Sequence, residues 1–244
     1  MATLDWLTRR PIAHRGLHDP AAGAIENTAT AFTRAIAGNY GIECDLHLTA
    51  DNEVVVHHDD ELGRLTDGEG FLESMTAADL MRVPFKNTAD RIIRLGDLCD
   101  LVAGRVTLLL ELKSHGHADL RLPQRVAEVL RGYTGPVAGM SFDPALVLGL
   151  RIEAPMLARG ITAESWTHGW GSGSGGGWMT HLGTVAMMRP QFVAYSVADL
   201  PATAPWLARN LLGMPLLTWT VRTEADRACA ARWADQMIFE GFAP

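Results

Sequence analysis

The sequence predicts an α/β fold in which eight parallel strands close into a (β/α)8 TIM barrel, as one domain spanning residues 1–244. Short apolar segments alternate along the chain with segments of helical periodicity. The length of 244 residues is close to the roughly 250 residues of one such barrel. An open, doubly wound sheet is the competing fold, but residues 14–17, after the first strand, lack the glycine-rich fingerprint common in such sheets.

Each predicted strand is a short apolar run bounded by turn residues. In chain order the eight strands are Pro11–Arg15, Gly41–Leu46, Val106–Lys113, Pro136–Phe142, Pro155–Arg159, Phe192–Ser196, Leu216–Val221 and Met237–Glu240. A further run, Glu53–His58, follows the second strand after a turn at residues 50–52, which predicts a small β-hairpin at the C-terminal mouth of the barrel. Only a short insertion then separates His58 from the third strand.

Helical segments with recognisable ends lie between the strands. Asn27 or Thr28 is placed to cap a helix that Gly38 terminates. The other predicted helices are Thr76–Met81, Gly96–Ala103, Leu120–Leu130, Pro144–Leu150, Thr203–Leu212 and Glu224–Trp233. The segment from Trp170 to Trp178 consists of Gly and Ser between its tryptophans, which favours a flexible surface loop over a mobile lid across the mouth.

The composition argues against several classes of protein. A hydrophobic content of 48% and a charged content of 20% are typical of a chain with a large core, and not of a disordered chain or a coiled coil. The net charge of −7 gives no general attraction to nucleic acid or to an anionic membrane, so we expect neither a nucleic-acid partner nor stable membrane association. Cys44, Cys99 and Cys229 lie far apart and residues 1–10 carry no secretory signal, which predicts a cytoplasmic protein. The oligomeric state leaves no trace in the sequence.

Charged residues occur where a buried barrel strand should be apolar. Alternation along residues 42–46 puts Glu43 and Asp45 on the same face, roughly 7 Å apart. Glu111 and Lys113 share a face late in the third strand, near the mouth where barrel active sites lie. A buried ion pair with Lys113 would neutralise one carboxylate and leave two, so a divalent cation bound by Glu43, Asp45 and Glu111 is the better account. Oxygen ligands select Mg²⁺, Ca²⁺ or Mn²⁺.

Histidines stand at the ends of the neighbouring strands. His14 ends the first strand, and His57 and His58 end the hairpin. Only one residue of that pair can face inward, and the acidic Asp59 after it favours His58. His47 shares the face of the two carboxylates. Because histidine exchanges protons near neutral pH, His14 and His58 are the predicted acid–base pair.

Taken in order, these segments resemble the glycerophosphodiester phosphodiesterase family. The matching segments are Ala13-His14-Arg15-Gly16, Glu26-Asn27-Thr28, Glu43-Cys44-Asp45, Val55 to Thr66, Leu110-Glu111-Leu112-Lys113, Ser141-Phe142 and Trp219-Thr220-Val221. The resemblance implies one divalent cation on the three carboxylates and acid–base catalysis by the two histidines. It also implies that Arg15 and Lys113 hold phosphoryl oxygens, with Glu26 and Trp219 as further substrate-binding residues. The chain departs from the family at Ile25, where proline is common, and at Glu240, where the family has an Asp-containing motif.

The expected activity is metal-dependent hydrolysis of a small glycerophosphodiester to glycerol 3-phosphate and an alcohol. A phosphodiesterase resembling lysophospholipase D or sphingomyelinase D is the related alternative. A non-catalytic phosphate-binding barrel is a third hypothesis, against which the complete set of histidines and carboxylates argues. A sugar isomerase on a metal barrel is a fourth, and Arg15 and Lys113 favour a phosphorylated substrate over it.

Overall fold

A computed structural model describes residues 4–114, 118–165 and 187–244, and it confirms the closed barrel. Its strands are β1 (Ile12–Ala13), β2 (Gly41–Leu48), β3 (Val54–Val56), β4 (Ile93–Arg94), β5 (Leu108–Leu112), β6 (Val137–Ser141), β7 (Ala158–Ala163), β8 (Phe192–Ser196), β9 (Leu216–Val221) and β10 (Gln236–Phe239). All except β3 and β4 form one parallel sheet in the order β1-β10-β9-β8-β7-β6-β5-β2, and pairing of β1 with β2 closes it. The carboxyl ends of the eight strands therefore meet at one mouth.

The predicted hairpin sits on the edge of the second barrel strand. β3 pairs antiparallel with β2, and β4 pairs antiparallel with β3. Residues 57–92, which we call the rim segment, connect β3 to β4. The rim segment supplies most of a small hydrophobic cluster, which we call the rim cluster, built from Ile25, Val55, Leu62, Leu72, Ala77, Leu80, Phe85 and Ile92. This cluster fixes the rim segment beside the mouth.

The helices fall close to their predicted positions. They are Asp5–Thr8, Ala29–Ala37, Ala77–Leu80, Leu95–Val102, Arg121–Leu130, Pro144–Glu153, Thr203–Asn210 and Glu224–Trp233, with short 3-10 turns at Pro20–Ala22, Leu72–Ser74 and Val197–Asp199. Thr28, and not Asn27, caps the second helix, because its hydroxyl accepts from the amide of Ala31. Gly38 ends that helix as predicted. Among the described residues, no helix is long and apolar enough to cross a bilayer.

One strand differs from its predicted position. β7 was expected at Pro155–Arg159 and lies at Ala158–Ala163, while Met156 is 95% exposed. The displacement has a steric cause, because Gly160 has no side chain and allows the ring of Phe192 on β8 to pack against its backbone. Because Arg159 is charged, the sequence pattern did not indicate that a buried strand continues past it. The Gly-rich segment 171–177 lies outside the described residues.

Alternation along the strands separates an outer layer from the barrel interior. Leu108, Leu110 and Leu112 of β5 pack toward the helices, whereas Leu109 belongs to an interior cluster. Leu7 of the first helix and Phe192 join that interior cluster. Glu111 shares the face of Leu109 and lies two residues nearer the mouth. An apolar interior therefore forms the floor beneath the charged residues at the mouth.

Candidate active site

Three buried carboxylates meet at the mouth because β2 and β5 are adjacent and in register. Asp45 pairs with Glu111 across the two strands, and Glu43 lies two residues before Asp45 on the same face. Glu43 and Asp45 are each 1% exposed, and Glu111 is 7% exposed. One potential ligand atom from each residue lies within 4.8 Å of the others. The arrangement expected from alternation in the sequence is therefore present.

Lys113 and Arg15 compensate part of this negative charge. The Lys113 Nζ lies 2.9 Å from Asp45 Oδ1 and 2.7 Å from Glu111 Oε1. Burial alone would raise the pKa of Asp45, but Lys113 and Arg15 outweigh it and hold that pKa well below its usual value. Burial, followed by the charges of Asp45 and Glu111, instead raises the pKa of Glu43 well above its usual value. The site is thus short of positive charge at Glu43.

A strained turn carries Arg15 into the site. Arg15 has φ +55° and Gly16 has φ +81°, and a Cβ at Gly16 would lie 2.9 Å from the side chain of Ala31. This turn directs the Arg15 amide to Glu43 at 3.0 Å and its guanidinium Nε to Asp45 at 3.3 Å. The backbone amide and the side chain of one residue therefore reach two of the three carboxylates.

His14, at the end of β1, is held by a carboxylate from the far end of the chain. Its Nδ1 lies 2.8 Å from Glu240 Oε2, and Arg222 donates to the same oxygen at 2.9 Å. The hydrogen bond from His14 lowers the pKa of Glu240 to about 2, so Glu240 is an acceptor at neutral pH. Nδ1 is therefore the nitrogen that donates to Glu240, which leaves Nε2 on the side of the carboxylates, 3.9 Å from Glu43.

His58 has the same arrangement with a different acid. Its Nδ1 lies 2.8 Å from Asp59 Oδ1, and Nε2 of the buried His47 lies 3.1 Å from the His58 carbonyl oxygen. His57 points away from the site and packs against Phe85, with ring centroids 6.0 Å apart. Burial lowers the pKa of His57 to about 4. Of the two adjacent histidines, His58 is the one that faces the carboxylates, as its sequence context suggested.

A cavity of about 280 Å³ brings the predicted residues together. Eight of the nine line it, namely His14, Arg15, Glu43, Asp45, His58, Glu111, Lys113 and Trp219. Glu26 is not among the lining residues and lies behind Arg15, with its carboxylate 2.7 Å from the guanidinium. A larger groove of about 790 Å³ lies elsewhere, around Trp6 and Pro136, and contains none of the nine.

Sequence reasoning missed several residues of this site. Met140, Phe142, Thr220, Arg222 and Ile238 also line the cavity. Arg222 follows directly after β9, so the rule that pointed to Lys113 at the end of β5 could have found it. Phe142 and Thr220 lie in segments that resemble the family, which was the signal for them, whereas Met140 and Ile238 look like any other core residue.

Asn27 is a further missed residue, and it holds Asp45 from the side. Its Nδ2 donates to Asp45 Oδ2 at 2.8 Å, and Asn27 is 1% exposed. Asn27 has φ +58°, a conformation that Asn tolerates better than most residues, and its amide donates to the Arg15 carbonyl at 2.9 Å. Its place in the segment Glu26-Asn27-Thr28 was the signal that could have found it.

The carboxylate set fits a hard divalent cation. Glu43, Asp45 and Glu111 offer oxygen atoms alone, which is the donor set of Mg²⁺, Ca²⁺ and Mn²⁺ and not of Zn²⁺. The structural observation that supports this fit is the clustering itself, because three buried carboxylates with ligand atoms within 4.8 Å of one another repel each other, and that repulsion with burial raises the pKa of Glu43.

Comparison with known proteins decides the family. The model of the glycerophosphoryl diester phosphodiesterase family matches residues 14–243. The chain belongs to this family. The resemblance seen in the sequence is thereby confirmed, and the family is one of phosphoric diester hydrolases, the predicted class of enzyme.

The matches to individual relatives extend over only part of each relative's length. A glycerophosphodiester phosphodiesterase of Caldanaerobacter subterraneus is 36% identical over 111 residues, which are 42% of this chain and 44% of the relative. The human glycerophosphodiester phosphodiesterase 1 is 29% identical over 168 residues, which are 64% of this chain and 49% of the relative. The chain thus spans about half the length of these relatives.

Two solved structures share the fold. A phosphodiesterase of Oleispira antarctica, solved with the product sn-glycerol-3-phosphate, has a TM-score of 0.79 and 20% identity, covering 96% of this chain and 94% of that one. A glycerophosphodiester phosphodiesterase of Thermotoga maritima has a TM-score of 0.72 and 22% identity, covering 93% and 92%. At these identities the likeness supports the barrel alone.

Proposed function

We propose that this member of the family hydrolyses glycerophosphodiesters to glycerol 3-phosphate and an alcohol, with one divalent cation, Mg²⁺ or Ca²⁺, on Glu43, Asp45 and Glu111. One observation carries the proposal. Two histidines, each hydrogen-bonded at Nδ1 to a carboxylate, line the same cavity as the three acids. This is the arrangement that acid–base cleavage of a phosphodiester requires.

The histidines divide the proton transfers between them. The Nδ1–H of His14 donates to Glu240. Its Nε2 therefore accepts the proton of the attacking water or hydroxyl group, so that His14 acts as the base. His58 is oriented at Nδ1 by Asp59 in the same way, and as the acid it must carry a second proton on Nε2, which it gives to the oxygen of the leaving alcohol. The nucleophile is water or the neighbouring glycerol hydroxyl, and in the second case a cyclic glycerophosphate accumulates in a rapid-quench experiment.

Positive side chains bind the phosphate. Arg15 and Lys113 lie on the cavity wall, where they can donate to the non-bridging oxygens as negative charge develops. Burial opposes the charge on Lys113, but Glu111 and Asp45 raise the pKa of its ammonium above the usual value, so Lys113 stays charged. A divalent cation on the carboxylates would supply Lewis-acid stabilisation of the phosphoryl oxygens.

Trp219 supplies a mixed polar and apolar wall. Its ring packs edge-on against Phe142, with centroids 5.4 Å apart. Its Nε1 is buried and finds no acceptor in the described part of the chain. A substrate oxygen would satisfy this donor while the indole face covers the carbon atoms of the alcohol.

The test is release of glycerol 3-phosphate from glycerophosphocholine and glycerophosphoethanolamine. We expect no release in EDTA and recovery when Mg²⁺, Ca²⁺ or Mn²⁺ is restored. Activity that survives EDTA would refute the metal requirement. Hydrolysis of lysophosphatidylcholine vesicles in preference to both soluble diesters would favour the lysophospholipase D alternative.

Among the described residues, Cys44, Cys99 and Cys229 are free thiols, as expected for a reducing compartment. The cytoplasmic location proposed from the sequence stays a prediction.

A further inference from the structure

Given the proposed hydrolysis, on which this inference rests, we propose that Arg64 is a positioning residue that orients His58 and Arg15 at the same time. Arg64 belongs to the rim segment and is not among the residues that line the cavity. Its guanidinium contacts two carboxylates, and each of these holds one residue of the active site. Arg64 thus acts on His58 and Arg15 through these two carboxylates and not through a contact with the substrate.

The first branch of this network leads to His58. Arg64 Nε lies 2.5 Å from Asp59 Oδ2, and its NH2 atom lies 3.0 Å from Asp59 Oδ1. This two-point contact fixes the plane of the carboxylate that accepts from His58 Nδ1. Burial would raise the pKa of Asp59, but hydrogen bonds from Arg64 and His58 lower it to about 2, so the acceptor stays ionised.

The second branch leads to Arg15. Arg64 NH2 donates to Glu26 Oε1 at 2.7 Å, and Arg15 NH1 donates to the same oxygen at 2.7 Å. Burial opposes ionisation of Glu26, but the hydrogen bond from Arg64 and the charge of Arg15 lower its pKa. Glu26 is therefore shared between two guanidinium groups, of which only that of Arg15 lines the cavity.

The backbone at Arg64 is held by contacts within the rim segment. The Gly63 amide donates to the hydroxyl of Thr66 at 3.1 Å, and Thr66 is completely buried. The neighbouring Leu62 packs in the rim cluster, and Lys86 donates to the Gly63 carbonyl. Without Arg64, Glu26 and Asp59 would lose the cation between them, and their mutual repulsion would favour separate orientations.

A planar fork is needed for this role, because one guanidinium serves both carboxylates. Arg64→Gln should lower kcat/KM for glycerophosphocholine about 10- to 100-fold, since a displacement near 1 Å is enough for such a loss. Arg64→Lys should recover part of the loss through its charge. Arg82→Gln is the matched control: it removes an arginine of the same segment whose ion pair within the described residues is with Asp79 at 3.3 Å, and it should leave turnover unchanged.

Double variants separate positioning from a general loss of stability. In the Asp59→Asn background the branch to His58 is already cut, so adding Arg64→Gln should raise KM through Arg15 with little further loss of kcat. In the Glu26→Gln background, adding it should lower kcat with little further rise in KM. If Arg64→Gln changes kcat and KM by the same factors in both backgrounds as it does in the wild type, the inference is overturned.

A histidine NMR measurement keeps the inference testable on its own. In protein with ¹⁵N-labelled imidazoles at pH 7, Arg64→Gln should move the ring resonances of His58, and Arg82→Gln should leave them in place. If the wild type hydrolyses no diester, the proposed function fails, and this spectrum still decides the role of Arg64. Unchanged His58 resonances in Arg64→Gln would overturn the inference even in an active enzyme.

Discussion

Replacing Lys113 by methionine removes a largely buried ammonium, on the wall of the cavity, from between two buried carboxylates. Its Nζ lies 2.9 Å from Asp45 and 2.7 Å from Glu111, and at an effective dielectric constant of about 20 each contact is worth roughly 6 kcal/mol of Coulomb attraction. Desolvation of the three ions offsets most of this gain. Removing one partner of a buried pair nevertheless costs about 3–5 kcal/mol, because the remaining charges lose their compensation.

Urea unfolding in EDTA at pH 7 measures this cost directly. We expect the free energy of unfolding of Lys113→Met to fall by about 3–5 kcal/mol, equivalent to roughly 6–20 °C in Tm for a chain of this size. Lys86→Met is the control, because Lys86 is exposed and, in the part of the chain that the structure describes, donates to a backbone carbonyl of the rim segment and to no carboxylate. It should change stability by less than about 1 kcal/mol. Equal losses in the two variants would refute the compensating role of Lys113.

Addition of Mg²⁺ or Ca²⁺ extends the same experiment. The cation should stabilise Lys113→Met more than the wild type, because Asp45 and Glu111 have then lost the ammonium that competes with the cation for their oxygens. Identical stabilisation of both proteins would contradict the assignment of these carboxylates as the cation site.

Three further predictions follow from the site. His14→Ala and His58→Ala should each lower kcat by about 10²–10⁴ while calorimetric Mg²⁺ or Ca²⁺ binding survives, and near-normal turnover in either would remove that histidine from the mechanism. Glu43→Ala should weaken cation binding in the same titration, and an unchanged affinity would contradict its assignment as a ligand. His57 has a pKa of about 4 when folded, against 6.5 when unfolded, so the unfolded chain alone binds its proton between these values. The free energy of unfolding is therefore unaffected by protonation of His57 above pH 6.5, and it falls by roughly 3 kcal/mol as the pH drops to 4. In His57→Phe this part of the pH dependence of unfolding should disappear, and an unchanged pH profile would contradict the buried neutral state.

The strand pattern was predictable because it depends on local alternation. Glu43 and Asp45 share a face of β2 in any strand, and Glu111 lies late on β5 for the same reason. The boundary of β7 was not predictable, because it depends on how closely Gly160 approaches Phe192 of another strand. Sequence reasoning therefore located the residues of the site better than it located every strand that carries them.

By itself, the sequence determined the barrel, the three carboxylates and the two histidines, since each follows from residue type and position along a strand. The tertiary structure alone decided what holds those residues in place. Glu240 reaches His14 across 226 positions of chain because β10 closes the barrel against β1, and Arg64 reaches Glu26 across 38 positions because the rim segment packs beside the mouth. Such contacts depend on barrel closure and on packing between distant segments, which no local pattern of residues encodes.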